Sequence, residues 1–522
     1  MTTDVGDKPS KSSFVLLALV TGAIVSNISL SIANVALPSI GRDLNATQGD
    51  LTSIANAFAL ALASTVLYFG ALADRFGRKL MFVLGAILTV PTAFISAFAP
   101  NVEVLILGRF TSGLAAALLF PTTLSLISSL YKGHARVTAI ALWSGIGGGV
   151  AALAPVLGGW LLESYWWGSV FLLAVPLVLV ALIVGLFVLP WKCDEEPGAI
   201  DHLGGVLSIA GIMLFVLTIE NVSKGLEWRL FWTFSASLVL LALFFWRQTR
   251  APRPLIYLPL LKARTMWVAF LAGAITFGSL IGAMFIGQQY VQNVLGYSTL
   301  LSAAVVLPAA LGTMVFGQIA GKIVTGHGSR PSFILGLSSV AIAFAIMLVT
   351  WNEAASIGWV LTGYAFVGIG VGLSVTPASR ALMSSVPPKR AGMGSAFLDL
   401  TRDLGGAIIQ ATMGTFLAAA YAFSVRDQLS ALPSSEADKV TNQISQELSS
   451  SYTSAAEVAA KYGGSTSEAI LTGAAQAFAD GKSIAIGIAL VLTLIGLFTV
   501  IFVFPNKSKE NAYYEQVLAD KN

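Results

Sequence analysis

The 522-residue sequence is poor in the side chains that enzymes and metalloproteins use most: it has one cysteine, three histidines, and charged residues at only 11% of its positions. The single cysteine, Cys193, excludes a disulfide framework and a cysteine-based metal site. The histidines are scattered, and the sequence contains no evident nucleophile–base pair or cluster of metal ligands. It therefore predicts a protein that is not an enzyme and that uses no cofactor and no metal.

The scarcity of charge accompanies an excess of apolar residues, which make up 56% of the chain and exclude an ordinary water-soluble fold. They fall into runs of about 20, the length that an α-helix needs to cross a hydrocarbon core ~30 Å thick. The runs lack the alternation of a transmembrane β-barrel. The sequence therefore predicts an all-α membrane protein with 14 transmembrane helices in the lipid bilayer.

The basic residues predict the orientation of these helices. Most of the 30 lysines and arginines lie on the side of both termini, and cytoplasmic loops are the ones enriched in Lys and Arg. The prediction is a multi-pass plasma-membrane protein whose tails, residues 1–13 and 506–522, are cytoplasmic. The net charge of +4 follows from this asymmetry, so it does not indicate a nucleic-acid partner.

The apolar spans divide into two similar halves, residues 14–190 and 265–505, separated by an inserted helix pair at 204–247. The sequence Gly317–Lys322, followed by Gly328 and Arg330, echoes Gly70–Lys79 at the equivalent place in the second half. Two parallel six-helix repeats around a central cavity are one known way to build a secondary transporter. We therefore predict two six-helix halves with an extra pair of helices between them.

One segment, residues 423–481, interrupts the pattern of short loops and is predicted to lie outside the cell. It is polar and carries charges of both signs. A solvated loop and a short amphipathic helix or hairpin over Ala455–Ala479 remain open for it.

The loop between the second and third spans combines glycines, one acid and basic residues in ten positions, Gly70–Lys79. Glycines permit a tight turn, and an acid at a helix end can bind a helix N-terminus or an arginine. We predict a cytoplasmic gate that can break and re-form; the alternative is a plain positively charged loop. The gate residues are Gly70, Asp74, Arg75, Gly77, Arg78 and Lys79.

This loop resembles the conserved Gly-x-Leu-Ala-Asp-Arg-x-Gly-Arg-Lys motif of the major facilitator superfamily, and fourteen spans resemble its drug:proton antiporter family 2. Arg109–Ala116 is similar to the family's Arg-x-x-x-Gly-x-x-Ala pattern. Pro155, Gly158 and Gly159 resemble its antiporter motif, and Trp166–Leu172 resembles the branch that exports quaternary ammonium antiseptics. The resemblance implies the major facilitator fold, a bacterial plasma (inner) membrane and exchange with protons.

Three departures from the family pattern lie in the first half, one of which is Ala154 in the fifth span, where glycine is usual. Family members usually carry an acid in the first helix, where this chain has Ser29, and the antiseptic exporters carry another in the second, where it has Asn56. Arg109 is an intramembrane cation, which is costly and marks a functional candidate. Its alternatives are a structural ion pair or a carbonyl contact.

The coupling chemistry is therefore predicted in the thirteenth span, at Asp399 and Asp403. Their i, i+4 spacing places both carboxylates on one helix face, and two nearby carboxylates titrate as a coupled pair. The resemblance implies that they bind protons and cations. Arg402, a second intramembrane charge, provides the alternative, since it could neutralise either acid.

Further polar residues give weaker indications. Asn34, Gln289, Tyr290 and Gln292 are candidates for the substrate path, with an interfacial belt as the alternative. Glu220 is predicted to lie at the level of the headgroups. Gly481-Lys482-Ser483 echoes a phosphate loop, but position 476 is Gln476 instead of glycine, so nothing indicates ATP.

These observations together predict a secondary transporter that exports lipophilic, cationic drugs, dyes or antiseptics in exchange for protons. Buried acids attract cations, and aromatic faces add cation–π contacts without fixing the shape of the small-molecule substrate. Two alternatives stay open: export of an endogenous metabolite, peptide or lipid, and a membrane sensor or scaffold that does not transport.

Overall fold

The computed structural model describes residues 12–131, 133–191, 200–222, 228–252, 254–256, 258, 262–385, 391–431 and 441–519. Within these ranges every regular element is helical, as the sequence predicts. The α-helices are α1 (Ser12–Ser31), α2 (Ala33–Asp43), α3 (Gln48–Phe76), α4 (Arg78–Ala97), α5 (Val102–Leu130), α6 (Gly133–Ser164), α7 (Ser169–Leu172), α8 (Ala174–Val188), α9 (His202–Asn221), α10 (Trp228–Arg250), α11 (Arg264–Gln289), α12 (Thr299–Ala304), α13 (Leu307–His327), α14 (Ser329–Thr350), α15 (Ile357–Ser384), α16 (Ala391–Ser430), α17 (Asn442–Ser450), α18 (Tyr452–Lys461), α19 (Gly464–Val503) and α20 (Lys507–Ala519).

Thirteen spans of the described helices are long and apolar enough to cross a membrane by length and composition. The remaining predicted span, residues 137–162, coincides with α6, a helix of 32 residues. Several side chains of α6, including those of residues 144–152, lie outside the described set. An all-α membrane fold is therefore the architecture of this chain.

Two glycines mark equivalent turns in the two halves. Gly77, with φ of 110°, separates α3 from α4, and Gly328, with φ of 89°, separates α13 from α14. Only glycine adopts such angles without strain. We call the end of the molecule at these two turns the motif end.

The two halves pack together at the opposite end, which we call the sealed end. There one apolar cluster joins residues of both halves, including Leu37, Leu51, Met284, Tyr290 and Trp351. Buried residues of α2, α3, α11 and α15 belong to this one cluster, so the two halves are in contact at this end.

The segment 423–481 is largely helical in its described part, which favours the helical alternative over a solvated loop. α16 runs on to Ser430, α18 covers Tyr452–Lys461, and residues 464–481 belong to α19. Thr441 and Ser451 cap the two short helices with their side-chain oxygens. The helix predicted at 455–479 thus begins earlier and is split near Gly463.

These two short helices pack on the sealed end. Ser451 donates a hydrogen bond of 3.2 Å to the carbonyl of Ala46 in the first half. Tyr421 of α16 donates one of 3.1 Å to the carbonyl of Leu448. The α17–α18 segment therefore contacts both halves at the end where they are packed together.

Candidate functional site

Residues of the gate motif hold α3, α4 and the end of α8 together at the motif end of the first half. Arg78 pairs with Asp74 at 3.2 Å, one helical turn away. Lys79 is buried and donates to the carbonyls of Leu186 and Leu189 at 2.7 and 2.6 Å. These carbonyls end α8 and lack partners within the helix, so a cation here satisfies them and complements the helix dipole.

The second half repeats this arrangement at Gly328. Arg330 lies two residues after Gly328, as Lys79 lies two residues after Gly77, and it donates to the carbonyl of Ile501 near the end of α19. Each half thus uses a basic residue at the same place to hold the last helix of that half. The echo seen in the sequence has a matching set of contacts in the structure.

An acid from the C-terminal helix α20 completes the second turn. The sequence has Gly321 where the first half has Asp74. Glu510 is fully buried and accepts hydrogen bonds from the backbone N–H of Ser329, at 3.0 Å, and from its hydroxyl. Burial raises the pKa of the Tyr514 phenol, as does the Glu510 carboxylate, to which Tyr514 donates at 3.0 Å. Sequence reasoning missed this contact because it joins residues 181 positions apart.

Arg109 is buried in the middle of the first half, with 1% of its surface exposed. Its Nη1 donates a hydrogen bond of 2.6 Å to the carbonyl of Ser29, and the guanidinium lies 4.9 Å from the ring of Phe58 and 5.6 Å from that of Phe171. Its Nη2 has no hydrogen-bond partner among the described residues. Of the alternatives from the sequence, a carbonyl contact is present, and it satisfies only part of the guanidinium.

Asp399 and Asp403 lie on α16 and are both buried, at 4% and 1% exposure. Arg402 pairs with Asp403 at 2.8 Å, and its guanidinium lies 4.3 Å from the ring of Phe120 on α5. The Oδ2 atoms of both aspartates have no hydrogen-bond partner within the described chain. The structure therefore distinguishes two acids that the sequence treated alike, since only Asp403 bonds Arg402.

Three of the four predicted substrate-path residues, Gln289, Gln292 and Asn34, form hydrogen bonds between the halves, and Tyr290 packs within the second half. Gln289 accepts a 3.0 Å hydrogen bond from Gln48, and Gln292 donates one of 3.1 Å to the carbonyl of Val35. Asn34 accepts a long hydrogen bond of 3.5 Å from Gln410. Tyr290 stacks on Trp351 at 5.2 Å between ring centroids. Because Gln289 and Tyr290 are fully buried, these residues close the sealed end here and do not form an exposed interfacial belt.

The two glycines of the antiporter-like motif serve different contacts. A Cβ on Gly158 would stand 2.9 Å from the Ile32 side chain of the same half, whereas a Cβ on Gly159 would stand 2.9 Å from the Leu300 backbone of the other half. Pro155 lies inside α6, three residues before Gly158. The motif thus brings α6 close to the second half, as small residues do between membrane helices.

Two buried charges make contacts that sequence reasoning did not predict. Glu220, predicted at the headgroup level, accepts hydrogen bonds from Asn56 at 2.6 Å and from Ser53 at 3.1 Å on α3. Lys482 has 1% of its surface exposed, donates to the carbonyl of Trp351 and lies 5.4 Å from the ring of Tyr290.

The described residues contain no group of three or more His, Cys, Asp or Glu side chains that could hold a metal ion. The buried polar groups of the membrane-spanning helices include carboxylates, guanidinium groups, amides, hydroxyls and the ammonium group of Lys482.

Comparisons with known proteins identify the fold and the relatives. Residues 19–410 match the family described as Major Facilitator Superfamily. The multidrug efflux pump LfrA of Mycolicibacterium smegmatis is 30% identical over 93% of this chain and 95% of its own. The methyl viologen resistance protein SmvA of Salmonella typhimurium is 28% identical over 92% and 97%. A bacterial homologue of the human lysosomal transporter Spinster, solved in an inward-facing and unoccupied conformation, superposes with a TM-score of 0.62 at 17% identity over 98% of this chain and 99% of that one.

Proposed function

This chain belongs to the Major Facilitator Superfamily of membrane transporters, and from that premise we propose that it exports lipophilic cations from the cytoplasm in exchange for protons. The names of its relatives, a multidrug efflux pump and a methyl viologen resistance protein, support drug export. Methyl viologen is itself a cation, which supports that substrate class.

One observation carries the proposal: Asp399 has a buried carboxylate, and its Oδ2 has no hydrogen-bond partner among the described residues. A buried carboxylate oxygen that lacks a hydrogen bond is costly inside a membrane protein, and binding either a proton or a cation lowers that cost. Competition between the two ligands for one carboxylate couples their movements in opposite directions. Asp403, which already bonds Arg402, holds that arginine against Phe120 of the first half.

In this proposal the motif end faces the cytoplasm and the sealed end faces the outside of a bacterial inner membrane, with both termini cytoplasmic. The packed contacts at the sealed end then belong to a conformation closed to the exterior. Export requires those contacts to separate while the motif end closes.

Everted membrane vesicles that contain the full chain test the proposal. Accumulation of a cationic dye such as ethidium should require a proton gradient and stop when a protonophore is added. Asp399→Asn should lower the initial rate at least tenfold, whereas Asp427→Asn, at an exposed position on the same helix, should leave it unchanged. Gradient-driven uptake that persists unchanged in Asp399→Asn would refute the assignment of the coupling site.

A different cargo is the second candidate, because Ser29 and Asn56 leave the first half without the acids usual in cation exporters. The two candidate substrate classes can be distinguished by measuring the transport of neutral, zwitterionic and cationic compounds in the same vesicles. Gradient-driven transport of neutral or zwitterionic compounds alone would favour an endogenous metabolite over cationic drugs.

A further inference from the structure

The first half has an imbalance of charge that its own residues do not correct. Arg109 lies seven residues inside α5, and arginine stays protonated in proteins. The acids between residues 14 and 190 are Asp43, Asp50, Asp74, Glu103 and Glu163, all near helix ends. The ion pairs of the described residues include none with Arg109. A buried guanidinium without a counter-charge is strongly unfavourable.

The guanidinium borders a cavity inside this half. Its walls come from α1, α3, α4, α5, α7 and α8, and every lining residue lies between positions 25 and 174. Five of the lining residues carry hydroxyl groups: Ser26, Ser29, Thr89, Ser96 and Ser112. The hydroxyls of Ser26, Thr89 and Ser96 donate to backbone carbonyls of their own helices, and the rest of the lining, Arg109 apart, is apolar. The cavity is therefore lined by residues of one half only.

The bonding of Arg109 leaves one donor for this cavity. Nη1 is occupied by the Ser29 carbonyl, while Nη2 is buried without a hydrogen-bond partner among the described residues. A buried, unpaired N–H of a cation costs free energy until an acceptor reaches it. An acceptor that also carries negative charge removes both the missing hydrogen bond and the missing counter-charge.

We propose that this cavity binds one halide ion, chloride under ordinary conditions, through Arg109 Nη2 and the hydroxyls of Ser29 and Ser112, which line the cavity. The free space suits a species of about the size of a water molecule, which favours a monatomic anion over phosphate, sulfate or a drug. Because residues of a single half line the cavity, the ion stays bound as that half moves and acts as a structural counter-ion. The proposal is independent of the exported compound.

The first test measures thermal unfolding of the purified full-length protein in sodium chloride, sodium bromide and sodium gluconate at equal ionic strength. A ligand that binds only the native state raises the unfolding midpoint in a saturable way. We expect chloride and bromide to raise the midpoint by about 2–4 °C over gluconate. Equal midpoints in the three salts would mean that the cavity holds water only and would overturn the proposal.

Position 29 supplies matched variants that keep the arginine in place. Ser29→Asp adds a carboxylate beside the guanidinium, so the halide effect should disappear, whereas the neutral and similarly sized Ser29→Asn should retain it. Arg109→Lys should keep a halide effect and Arg109→Gln should lose it. A halide effect of equal size in wild type and Ser29→Asp would place the ion elsewhere and overturn the proposal, even if Arg109→Gln fails to fold.

A crystal of the wild-type protein grown in bromide provides a direct readout. An anomalous peak within hydrogen-bonding distance of Arg109 Nη2, absent from Ser29→Asp crystals, is the expected result. Peaks only at the protein surface would contradict the site. None of these measurements depends on efflux, so they separate failure of the anion site from failure of the proposed export.

Discussion

Asn56 on α3 donates a 2.6 Å hydrogen bond to the carboxylate of Glu220 on α9, which joins the inserted helix pair to the first half. The preceding residue, Ile219, accepts a 3.1 Å hydrogen bond from Thr415 of α16 in the second half. α9 therefore contacts both halves through adjacent residues. The inserted pair is therefore bonded to both halves, and its Glu220 accepts hydrogen bonds from the side chains of Ser53 and Asn56 on α3.

The Asn56–Glu220 contact should contribute measurably to stability. Asn56→Leu removes one hydrogen bond to the Glu220 carboxylate, and hydrogen bonds to charged groups are worth about 2 kcal/mol. We expect Asn56→Leu to lower the free energy of unfolding in mixed micelles by about that amount. In a double-mutant cycle, Asn56→Leu with Glu220→Leu should cost less than the sum of the single changes.

The neighbouring Asn221 is a matched control, because its side chain donates only to Leu217 of its own helix in the described contacts. Asn221→Leu should change stability much less than Asn56→Leu. Additive effects in the Asn56/Glu220 cycle would show that the two residues do not interact.

The Arg402–Asp403 pair should be structural, in contrast to Asp399. Arg402→Gln leaves the carboxylate of Asp403 buried without its partner, and breaking a buried ion pair in this way costs about 3–5 kcal/mol. Asp403→Asn in the same chain removes the unpaired charge, so the double variant should recover most of the lost stability. Unfolding in mixed micelles measures both.

Arg402→Lys is the control for the charge alone, since it keeps a cation but loses the Nε hydrogen bond. Its free energy of unfolding should lie between that of wild type and that of Arg402→Gln. A stability of Arg402→Gln equal to that of wild type would contradict a structural pair and would assign Asp403 the same role as Asp399.

The sequence predicted features that depend on local pattern. Hydrophobic runs located the helices, and Gly77 and Gly328 were predictable because a turn with positive φ needs glycine. The spacing of Asp399 and Asp403, with Arg402 between them, also predicted a possible neutralising contact. Which acid the arginine bonds depends on side-chain geometry that spacing does not determine.

The sequence failed where two distant segments meet. Asn56 and Glu220 are 164 positions apart, so nothing in either segment predicted their contact. Lys482 was placed at a helix start, because the polar residues before it resemble a loop. In the structure α19 begins 18 residues earlier, at Gly464, and Lys482 becomes an interior position of the helix.

Gly159 should affect the equilibrium between the conformation in which the halves are packed together at the sealed end and the conformation in which they are separated there. A Cβ there would stand 2.9 Å from the Leu300 backbone, so Gly159→Ala should push α12 of the second half away from α6. We expect faster maleimide labelling of Ala36→Cys, a fully buried position of α2, in a Cys193→Ser background. A shift of about 1 kcal/mol corresponds to about a fivefold faster reaction.

Two other glycines test whether this effect comes from the contact between the halves. The methyl group added by Gly158→Ala would contact Ile32 of its own half. This variant should therefore lower stability without accelerating the labelling of Ala36→Cys. Gly487→Ala on α19 has open space around the new methyl group and should change neither quantity. Faster labelling in all three variants would indicate general loosening of the fold.

Export should require the α17–α18 segment to separate from the first half. A Cβ built on Gly41 of α2 lies 3.4 Å from the Cβ of Thr453 in α18, close to the separation of about 3.5–4.5 Å found in disulfides. Gly41→Cys with Thr453→Cys, in a Cys193→Ser background, should therefore form a disulfide under mild oxidation. We expect the disulfide to abolish dye transport in everted vesicles and a reductant to restore it, because α2 and α18 belong to different halves.

Ser424→Cys with Asp480→Cys gives the matched control. Those two side chains are hydrogen-bonded at 2.8 Å between α16 and α19 of one half, so that disulfide should leave transport intact. Transport that continues with the Gly41–Thr453 positions fully cross-linked would show that the segment only covers the sealed end, and that the halves separate without moving it.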